Sequence, residues 1–387
     1  MELRSFPSPT LSEHLISCIV PSYIKTKNIC KLNFEEKVTA MRRSFGQCWR
    51  LNLRCSANGD GASVLASNVH VREQQSCSNI PLHDARILYS VAPAMGHNKE
   101  YHPESNLRVP AIVNALEEFE LTSKTFQESL IAAGAGLSLV DSVVSASITS
   151  PNPPIGFALI RPPGHHAIPK GPMGFCVFGN IAVAARYAQH VHGLTRVLII
   201  DFDVHHGNGT CDAFYDDPNV FFLSTHQVGS YPGTGKIEQV GQGSGEGTTL
   251  NLPLPGGSGD YVMRSAFNEV IAPCAQRFKP DIILVSAGYD AHVLDPLAGL
   301  QFTAGTYYML ASSIKQLAKE LCKGRCVFFL EGGYNLQSLS HSVVDTFRAF
   351  LEQPSLAPQF DDPAILYEEP LSKAKQAIQK IKHLHSL

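Results

Sequence analysis

The chain has 387 residues, of which 44% are hydrophobic and 17% charged, and its formal net charge is −3. This length allows one large domain or two ordinary ones, and this composition is typical of a globular protein with a large core. A general nucleic-acid-binding domain usually carries a basic face, which this charge balance does not favour. No run of about 18 consecutive apolar residues occurs. The sequence therefore predicts neither a membrane span nor direct nucleic-acid binding.

The first 79 residues differ from the rest. Residues 1–80 contain ten Lys/Arg against six Asp/Glu, whereas residues 81–387 contain 21 against 28. A basic leader that contains serines and lacks a clear period is typical of a plastid or mitochondrial transit peptide. We predict such a peptide at 1–79 and one functional domain at 80–387. The alternative is a disordered tail that stays attached, because Glu13, Glu35 and Glu36 depart from the usual acid-poor composition.

After residue 80, apolar runs of strand length alternate with helical segments. The predicted strands are residues 85–90, 155–161, 197–203, 220–225, 282–286 and 327–330. The predicted helices include residues 109–119, 126–147, 180–190, 261–277 and 307–321. This alternation predicts an α/β fold with an open, mostly parallel sheet. In such sheets, the chemistry gathers at the carboxyl ends of the strands.

The cysteines and glycines give weaker signals. The five cysteines after residue 80 lack zinc-finger spacing, and we predict that they are reduced and mostly buried, as in a reducing compartment. The glycine-rich stretches 241–247 and 256–259 match neither phosphate-loop pattern, and we interpret them as turns. We interpret His97 and His102 as loop histidines.

Ionisable residues directly follow four of the predicted strands. His165 and His166 follow one strand, and Asp290 follows another. The segment IIDFDVHHGNG contains Asp203 and His205, whose side chains point the same way on an extended chain and can bind one metal ion. With Asp290 they make three protein ligands, which leaves a fourth position for water in an open zinc site.

Such a site needs a general base, because two carboxylates neutralise the charge of zinc and leave its water weakly acidified. His165 and His166 are the candidates. Asp201 and Asn208 can each accept a ring N–H and orient one of these histidines. Tyr334, which follows the strand ending near Leu330, can donate its hydroxyl to a developing oxyanion. Each motif alone is commonplace, since a strand-end Asp often caps a helix, but their convergence indicates a metal site.

Six motifs make the family recognisable. RPPGHHA, GFCVFGN, IDFDVHHGNGT, YPGTG, SAGYDAH and EGGYN occur in the order seen in histone deacetylases of the arginase–deacetylase superfamily. The chain most resembles the class II branch, with its bacterial acetylpolyamine amidohydrolases and plant organellar deacetylases, because of Asn208 and of Glu331 before Gly-Gly-Tyr. The resemblance implies a single-domain arginase/deacetylase fold whose mostly parallel central sheet has helices on both faces. It also implies zinc-dependent deacetylase activity. The cellular location that it favours is the plastid, with the mitochondrion, cytoplasm and nucleus as alternatives.

The resemblance further implies a role for each candidate residue. The zinc ligands would be Asp203, His205 and Asp290. The catalytic residues would be the two histidines, their partners and a tyrosine. His166 would be the general base with Asn208 as its partner, and His165 would be paired with Asp201. Tyr334 would polarise the amide carbonyl. The acyl-lysine tunnel would have Gly174 and Phe175 on one wall, Tyr231 on the other in place of the usual Phe, and Leu297 at the rim. A structural potassium ion would use Asp201, Asp203, His205, Ser224 and Thr225, partly through main-chain carbonyls.

One departure from the family lies after Lys124. Relatives have several tens of residues between the early helix and the helix that starts near Phe126, whereas here the two nearly adjoin. We expect this shortening to remove part of the core wall and of the substrate rim. A non-catalytic binding protein is therefore one alternative function. Another alternative is a ureohydrolase. Such an enzyme needs two manganese ions and therefore further carboxylate ligands, but Asp290 is the only carboxylate in the turn at 288–292. The substrate stays open between protein acetyl-lysine, an acetylpolyamine and a small N-acetylated amine such as N-acetylserotonin.

Overall fold

A computed structural model describes residues 29–31, 87–92, 108–109 and 125–387. Side chains are described at Arg108, at Val109 and from Glu128 onward. Most of the predicted leader therefore lies outside the described residues. So do His97, His102, the predicted helix at 109–119 after its first residue, and the junction at Lys124.

Eight strands in the described part of the chain form one parallel sheet. They are β1 (Ile29–Lys31), β2 (Ile87–Ala92), β3 (Ile155–Ile160), β4 (Val197–Asp201), β5 (Val220–Gln227), β6 (Thr249–Leu254), β7 (Ile282–Ala287) and β8 (Cys326–Leu330). Their order across the sheet is β1-β2-β3-β8-β7-β4-β5-β6, and every adjacent pair is parallel. All carboxyl ends therefore lie at one edge, and the predicted parallel α/β fold is confirmed.

Helices connect these strands. They are α1 (Thr125–Thr149), α2 (Asn180–His192), α3 (Asn208–Phe214), α4 (Asp260–Ala266), α5 (Ala272–Phe278), α6 (Ala304–Cys322), α7 (Leu336–Phe350), α8 (Ala357–Phe360) and α9 (Leu371–Leu384). A π-helical segment, Phe267–Ile271, joins α4 to α5 and interrupts what the sequence predicted as one continuous helix.

The sheet has a hydrophobic core on each face. Phe157 and Leu159 of β3 point into the core shared with α4–α7 and α9, whereas Ala158 and Ile160 point into the core shared with α1–α3. This alternation explains why the central strands are continuous apolar runs, since both of their faces are buried. The helices thus cover both faces, as predicted.

Helix α1 belongs to the second of these cores. Its residues Glu128–Thr149 are long and apolar enough to cross a membrane, but 72% of the apolar window is buried within the fold. A Cβ atom at Gly136 would lie 2.2 Å from Cε1 of Phe329, so the helix packs very closely on β8. These contacts are those of a core helix.

Some elements differ from the sequence prediction. Strand β6 was not predicted from the sequence. It contains Pro253, which is tolerated because β6 is an edge strand. Strand β1 lies within the predicted leader and pairs with β2, which the sequence did not indicate. Strand β4 ends at Asp201, two residues earlier than predicted, where the chain turns into the candidate site. The five later cysteines are free and buried, as predicted.

Candidate metal centre and active site

The candidate residues lie at the ends of four neighbouring central strands. These strands are β3, β8, β7 and β4, which are adjacent in the sheet in that order. Each strand leads into a loop at the common edge, and the four loops deliver the tandem histidines, Tyr334, Asp290, and the segment from Asp201 to Asn208. The topology therefore brings together residues up to 169 positions apart in the chain.

Asp203, His205 and Asp290 form the cluster at the bottom of the site. All three are buried, and their potential ligand atoms lie within 4.8 Å of one another. Nδ1 of His205 is 3.1 Å from Oδ1 of Asp203 and 3.1 Å from Oδ2 of Asp290. The second oxygens are held by the main chain: Gly332 N–H donates to Oδ2 of Asp203 at 2.8 Å, and Val204 N–H donates to Oδ1 of Asp290 at 3.0 Å. One oxygen of each carboxylate thus faces the imidazole.

This cluster fits a zinc ion in charge and shape. Two buried carboxylates with one imidazole carry excess negative charge, which is costly to bury without a cation. Burial by itself would lower the pKa of His205, but Asp290 and Asp203 raise it to about 11. A Cβ at Gly288 would lie 2.1 Å from Oδ2 of Asp203, and one at Gly332 would lie 2.0 Å from Oδ2 of Asp290. The glycines make room for the carboxylates, and histidine nitrogens and carboxylate oxygens are both zinc ligands, of which a catalytic site has three.

The tandem histidines lie beside the cluster, each with one partner. Nδ1 of His165 is 3.0 Å from Oδ2 of Asp201, and Nδ1 of His166 is 2.8 Å from Oδ1 of Asn208. The Asn208 amide group donates to Sδ of Met173 at 3.3 Å, which turns its oxygen towards His166. Because that oxygen accepts a hydrogen bond, Nδ1 of His166 carries the proton and Nε2 is left as an acceptor.

The two histidines differ in charge. Burial lowers the pKa of His166 to about 2, and the positive charge of His165 contributes to this shift. Burial also acts to lower the pKa of His165, but Asp203, Asp201 and Glu331 outweigh it and raise this pKa to about 10. The surroundings therefore favour the charged form of His165 and the neutral form of His166, and the two ring centroids are 4.0 Å apart.

Three of the predicted tunnel residues contact the candidate catalytic residues. The Phe175 ring packs edge-on against Tyr334, with centroids 6.0 Å apart, and a Cβ at Gly174 would lie 2.5 Å from Cδ2 of His166. The Tyr231 ring stands perpendicular to His166 at 5.0 Å and is 47% exposed. Leu297 is half-buried on the loop after β7. Gly174 and Tyr231 therefore lie next to His166, and Phe175 lies next to Tyr334.

The residues expected around a potassium ion lie on β4, β5 and the loop after β4. Asp201 is paired with Ser224 in the register of β4 and β5, and both side chains are buried. Ser224 Oγ lies 2.9 Å from Nδ1 of His226. The hydroxyl of the adjacent Thr225 is buried without a hydrogen-bond partner among the described residues.

Three further residues support the site, and sequence reasoning assigned none of them this role. Glu331 accepts the N–H groups of Gly164 and His165 at 2.7 and 3.1 Å, and burial raises the pKa of Glu331 to about 7. Arg108 donates to the carbonyls of Glu331 and Gly333, and its guanidinium lies 4.7 Å from the centroid of the Tyr334 ring. The third residue is Asp295, which accepts main-chain N–H groups. Arg108 is 225 residues from Gly333, so no local pattern could have indicated this contact.

The motifs and their geometry agree with a comparison against known families. The family model for the histone deacetylase domain matches residues 64–350. The chain belongs to the histone deacetylase family. As a member it is a deacetylase, an amidohydrolase that acts on acetylated substrates. The match starts at residue 64, within the stretch predicted as a leader.

Two plant proteins are highly similar to this deacetylase. Histone deacetylase 10, chloroplastic, from Oryza sativa subsp. japonica is 61% identical over 409 residues, which cover 91% of this chain and 92% of the rice protein. Histone deacetylase 14, chloroplastic, from Arabidopsis thaliana is 62% identical over 364 residues, which cover 79% of this chain and 86% of that protein. Since 91% of 387 residues is about 352, about 57 of the 409 positions aligned with the rice protein lie opposite gaps in this deacetylase.

A solved structure shows the same fold. The crystal structure of the HDA15 HD domain superposes with a TM-score of 0.64 at 29% sequence identity, and the match covers 78% of this deacetylase and 96% of that chain. The parallel sheet described above is therefore the sheet of the arginase/deacetylase fold.

Proposed function

We propose that this deacetylase hydrolyses N-acetyl amides with one zinc ion held by Asp203, His205 and Asp290, and releases acetate. The observation that carries the proposal is the buried three-ligand cluster beside two histidines, whose Nδ1 atoms are hydrogen-bonded to Asp201 and Asn208. When bound, zinc would act as a Lewis acid that acidifies water and polarises the acetyl carbonyl. A structural potassium ion would be held by Asp201, Asp203, His205, Ser224 and Thr225, partly through their main-chain carbonyls.

In the proposed reaction, His166 is the general base. Its Nε2 accepts a proton from the attacking water, and Asn208 keeps Nδ1 protonated so that Nε2 is the basic atom. His165, held cationic by Asp201, stabilises the negative charge that develops next to it. As the C–N bond breaks, the proton on His166 passes to the amine nitrogen, and the acetyl group leaves as acetate.

Tyr334 and the two tunnel walls hold the acetyl group in this scheme. The Tyr334 hydroxyl donates a hydrogen bond to the carbonyl oxygen as that oxygen gains charge. Phe175 and Tyr231 enclose the chain of the amine, and Tyr231 adds a hydroxyl that phenylalanine would lack. Leu297 contacts the substrate where it leaves the tunnel.

The charges around the entrance favour some acetylated amines over others. The described strand-end loops 167–178, 227–236, 291–300 and 333–336 contain one carboxylate, Asp295, and it is buried. Two exposed lysines, Lys170 and Lys236, lie in the same loops. A polycationic acetylpolyamine is therefore attracted less than an acetyl-lysine peptide or a neutral N-acetylated amine.

We further propose that the protein acts in the plastid and that residues 1–79 contain its transit peptide. Two highly similar relatives are named chloroplastic, and the leader has a basic, serine-containing composition. The five free, buried cysteines of the catalytic domain are compatible with a reducing stroma.

A specific observation favours a second candidate function, a catalytically impaired form that binds acetylated partners. About 57 positions of the rice alignment lie opposite gaps in this deacetylase, a number that fits the shortening expected after Lys124. A segment of that length would contribute to the core wall and to the substrate rim. Its loss leaves the metal ligands in place but weakens the support of the tunnel.

Acetate release from the full chain tests the proposal. The zinc-loaded protein would be assayed with an acetyl-lysine peptide, an acetylpolyamine and N-acetylserotonin, with and without a hydroxamate inhibitor. We expect release that the inhibitor abolishes and that Tyr334→Phe lowers at least about 100-fold, because that substitution removes one oxyanion donor. Asp290→Asn should lower the zinc content, whereas the matched change Asp345→Asn, at a buried aspartate on α7, should not.

The outcomes separate the two candidate functions. Release that is insensitive to Tyr334→Phe contradicts the proposed mechanism. A soluble, zinc-loaded protein that releases no acetate supports the impaired form, and grafting the rice segment after Lys124 should then restore activity. A faster reaction with the acetylpolyamine than with the neutral amine contradicts the charge argument.

A further inference from the structure

Asp295 links the Tyr334 loop to the substrate rim. It lies on the loop between β7 and α6, its side chain is 6% exposed, and its two carboxylate oxygens contact different segments. Oδ2 accepts the main-chain N–H of Tyr334 at 2.7 Å, and Oδ1 accepts the main-chain N–H of Leu297 at 3.0 Å. One buried carboxylate therefore holds both the oxyanion donor and the rim residue.

The loop that carries Asp295 is itself anchored to the metal cluster. It contains the candidate ligand Asp290, and the N–H of Asp295 donates to the carbonyl of His292 at 2.8 Å. Val293 N–H donates to the carbonyl of Phe302 at 3.0 Å, which closes the base of the loop. The carboxylate of Asp295 therefore has a defined position relative to the cluster.

The segment before Tyr334 needs such an anchor. Gly332 and Gly333 precede the tyrosine, and Gly333 has a φ of 123°, a conformation that side chains rarely adopt. Two consecutive glycines give the backbone many accessible conformations unless its polar groups are held. Arg108 holds the carbonyl of Gly333, and Asp295 holds the next N–H along the chain.

We propose that Asp295 is a positioning residue, which holds the Tyr334 hydroxyl in its catalytic place by fixing the tyrosine backbone to the rim at Leu297. The proposal rests on the proposed role of Tyr334 as the oxyanion donor. Asp295 does not contact the substrate carbonyl in this scheme. It acts through Tyr334, so its contribution to the rate should disappear when the Tyr334 hydroxyl is absent.

Asparagine at this position tests the link with little change of shape. Its side chain has one acceptor oxygen and one NH₂ group, so either the Tyr334 or the Leu297 N–H must face a donor. Asp345 provides a matched control, because it is also buried and accepts the N–H of Leu356 at 2.8 Å together with the hydroxyl of Ser355. Asp345→Asn should alter thermal stability but leave kcat unchanged.

The experiment is a double-mutant cycle on the full zinc-loaded chain, with kcat and KM measured on an acetyl-lysine peptide. We expect Asp295→Asn to lower kcat about 10- to 100-fold through misplacement of the donor, with KM changed by less than about threefold. In the Tyr334→Phe background, Asp295→Asn should lower kcat by no more than about twofold further, because the hydroxyl that Asp295 positions is already absent. The affinity for a hydroxamate inhibitor should behave in the same way: Asp295→Asn should weaken binding to the wild type but hardly change binding to Tyr334→Phe.

Two results would overturn the inference. One is an Asp295→Asn enzyme with wild-type kcat, and the other is an Asp295→Asn effect of equal size with and without the Tyr334 hydroxyl. If Asp295→Asn is insoluble, Asp295→Glu, which keeps the charge but shifts both oxygens, is used in the same cycle. Wild-type activity of Tyr334→Phe alone would contradict the proposed function instead, so the two failures are distinguishable.

Discussion

His165 and His166 are neighbours in the chain, yet their environments give them different charges. One carboxylate partner and the nearby Asp203 keep His165 cationic, whereas a neutral amide partner and burial keep His166 neutral. The sequence indicated that both histidines and both partners belong to one site. Which ring is charged depends on packing, because burial and charge act through distances that the chain order does not contain.

Asn208→Leu tests the role of the neutral partner. The change removes the acceptor for Nδ1 of His166, so the proton can move to Nε2 and block the basic atom. We expect kcat to fall about 10- to 100-fold with little change in KM, as for other residues that orient a catalytic group. Steady-state kinetics on an acetyl-lysine peptide measures this effect.

Asn208→Asp is the matched control for that experiment. Aspartate keeps an acceptor for Nδ1 but adds a negative charge, which favours protonation of His166. Asn208→Asp should therefore lose less activity than Asn208→Leu, and its kcat should fall at low pH more than that of the wild type. An Asn208→Leu enzyme with wild-type kcat would contradict the role of Asn208.

At the scale of elements, close packing of α1 on the sheet limits which substitutions the core accepts. Alanine normally stabilises a helix relative to glycine by about 1 kcal/mol. At Gly136 we expect the opposite, because the added methyl would lie 2.2 Å from the buried ring of Phe329 on a central strand. Gly136→Ala should lower the free energy of unfolding by about 1–3 kcal/mol, the usual cost of overpacking.

Urea unfolding measures this change, with Ser145→Ala as the control. Ser145 is exposed on the same helix, and alanine there should be neutral or slightly stabilising. A Gly136→Ala protein as stable as the wild type would mean that α1 can shift away from β8 at little cost.

At the scale of the whole molecule, the C-terminal segment ties α9 to the rest of the fold. Glu369 accepts the N–H groups of Gly259, Tyr261 and Val262 at the start of α4, at 2.8 to 2.9 Å. Arg277 of α5 donates to the carbonyl of His385, whose side chain is 5% exposed. Burial and the nearby Arg277 lower the pKa of His385 to about 4 from a usual 6.5.

This pKa shift predicts acid sensitivity. Above pH 6.5 His385 is neutral in both the folded and the unfolded chain, whereas between pH 6.5 and 4 the unfolded chain alone binds the proton. Stability should therefore fall as the pH drops through this window, by at most about 3 kcal/mol from this residue. His385→Leu should give a shallower dependence of the unfolding free energy on pH, and His383→Leu, at an exposed position on α9, should not. Identical slopes for the wild type and His385→Leu would contradict the prediction.

Apolar runs of strand length and the order of six motifs predicted the parallel sheet, the family and the candidate residues from the sequence alone. They could do so because a strand buried on both faces must be apolar along its whole length, and because each motif lies within a few residues of a strand end. Edge strand β6 escaped this reasoning, since packing there tolerates Pro253, and the π-helical interruption of the 261–277 helix has no sequence period of its own.

Tertiary structure alone decided the supporting contacts. Arg108, Asp295 and Glu331 reach the site from segments far apart in the chain, and main-chain carbonyl and N–H groups are their principal partners. Because main-chain groups are the same at every residue, the identity of the residue that supplies such a group does not indicate the contact. The sequence therefore predicts which residue types form the site, whereas the hydrogen bonds that position those residues depend on the folded backbone.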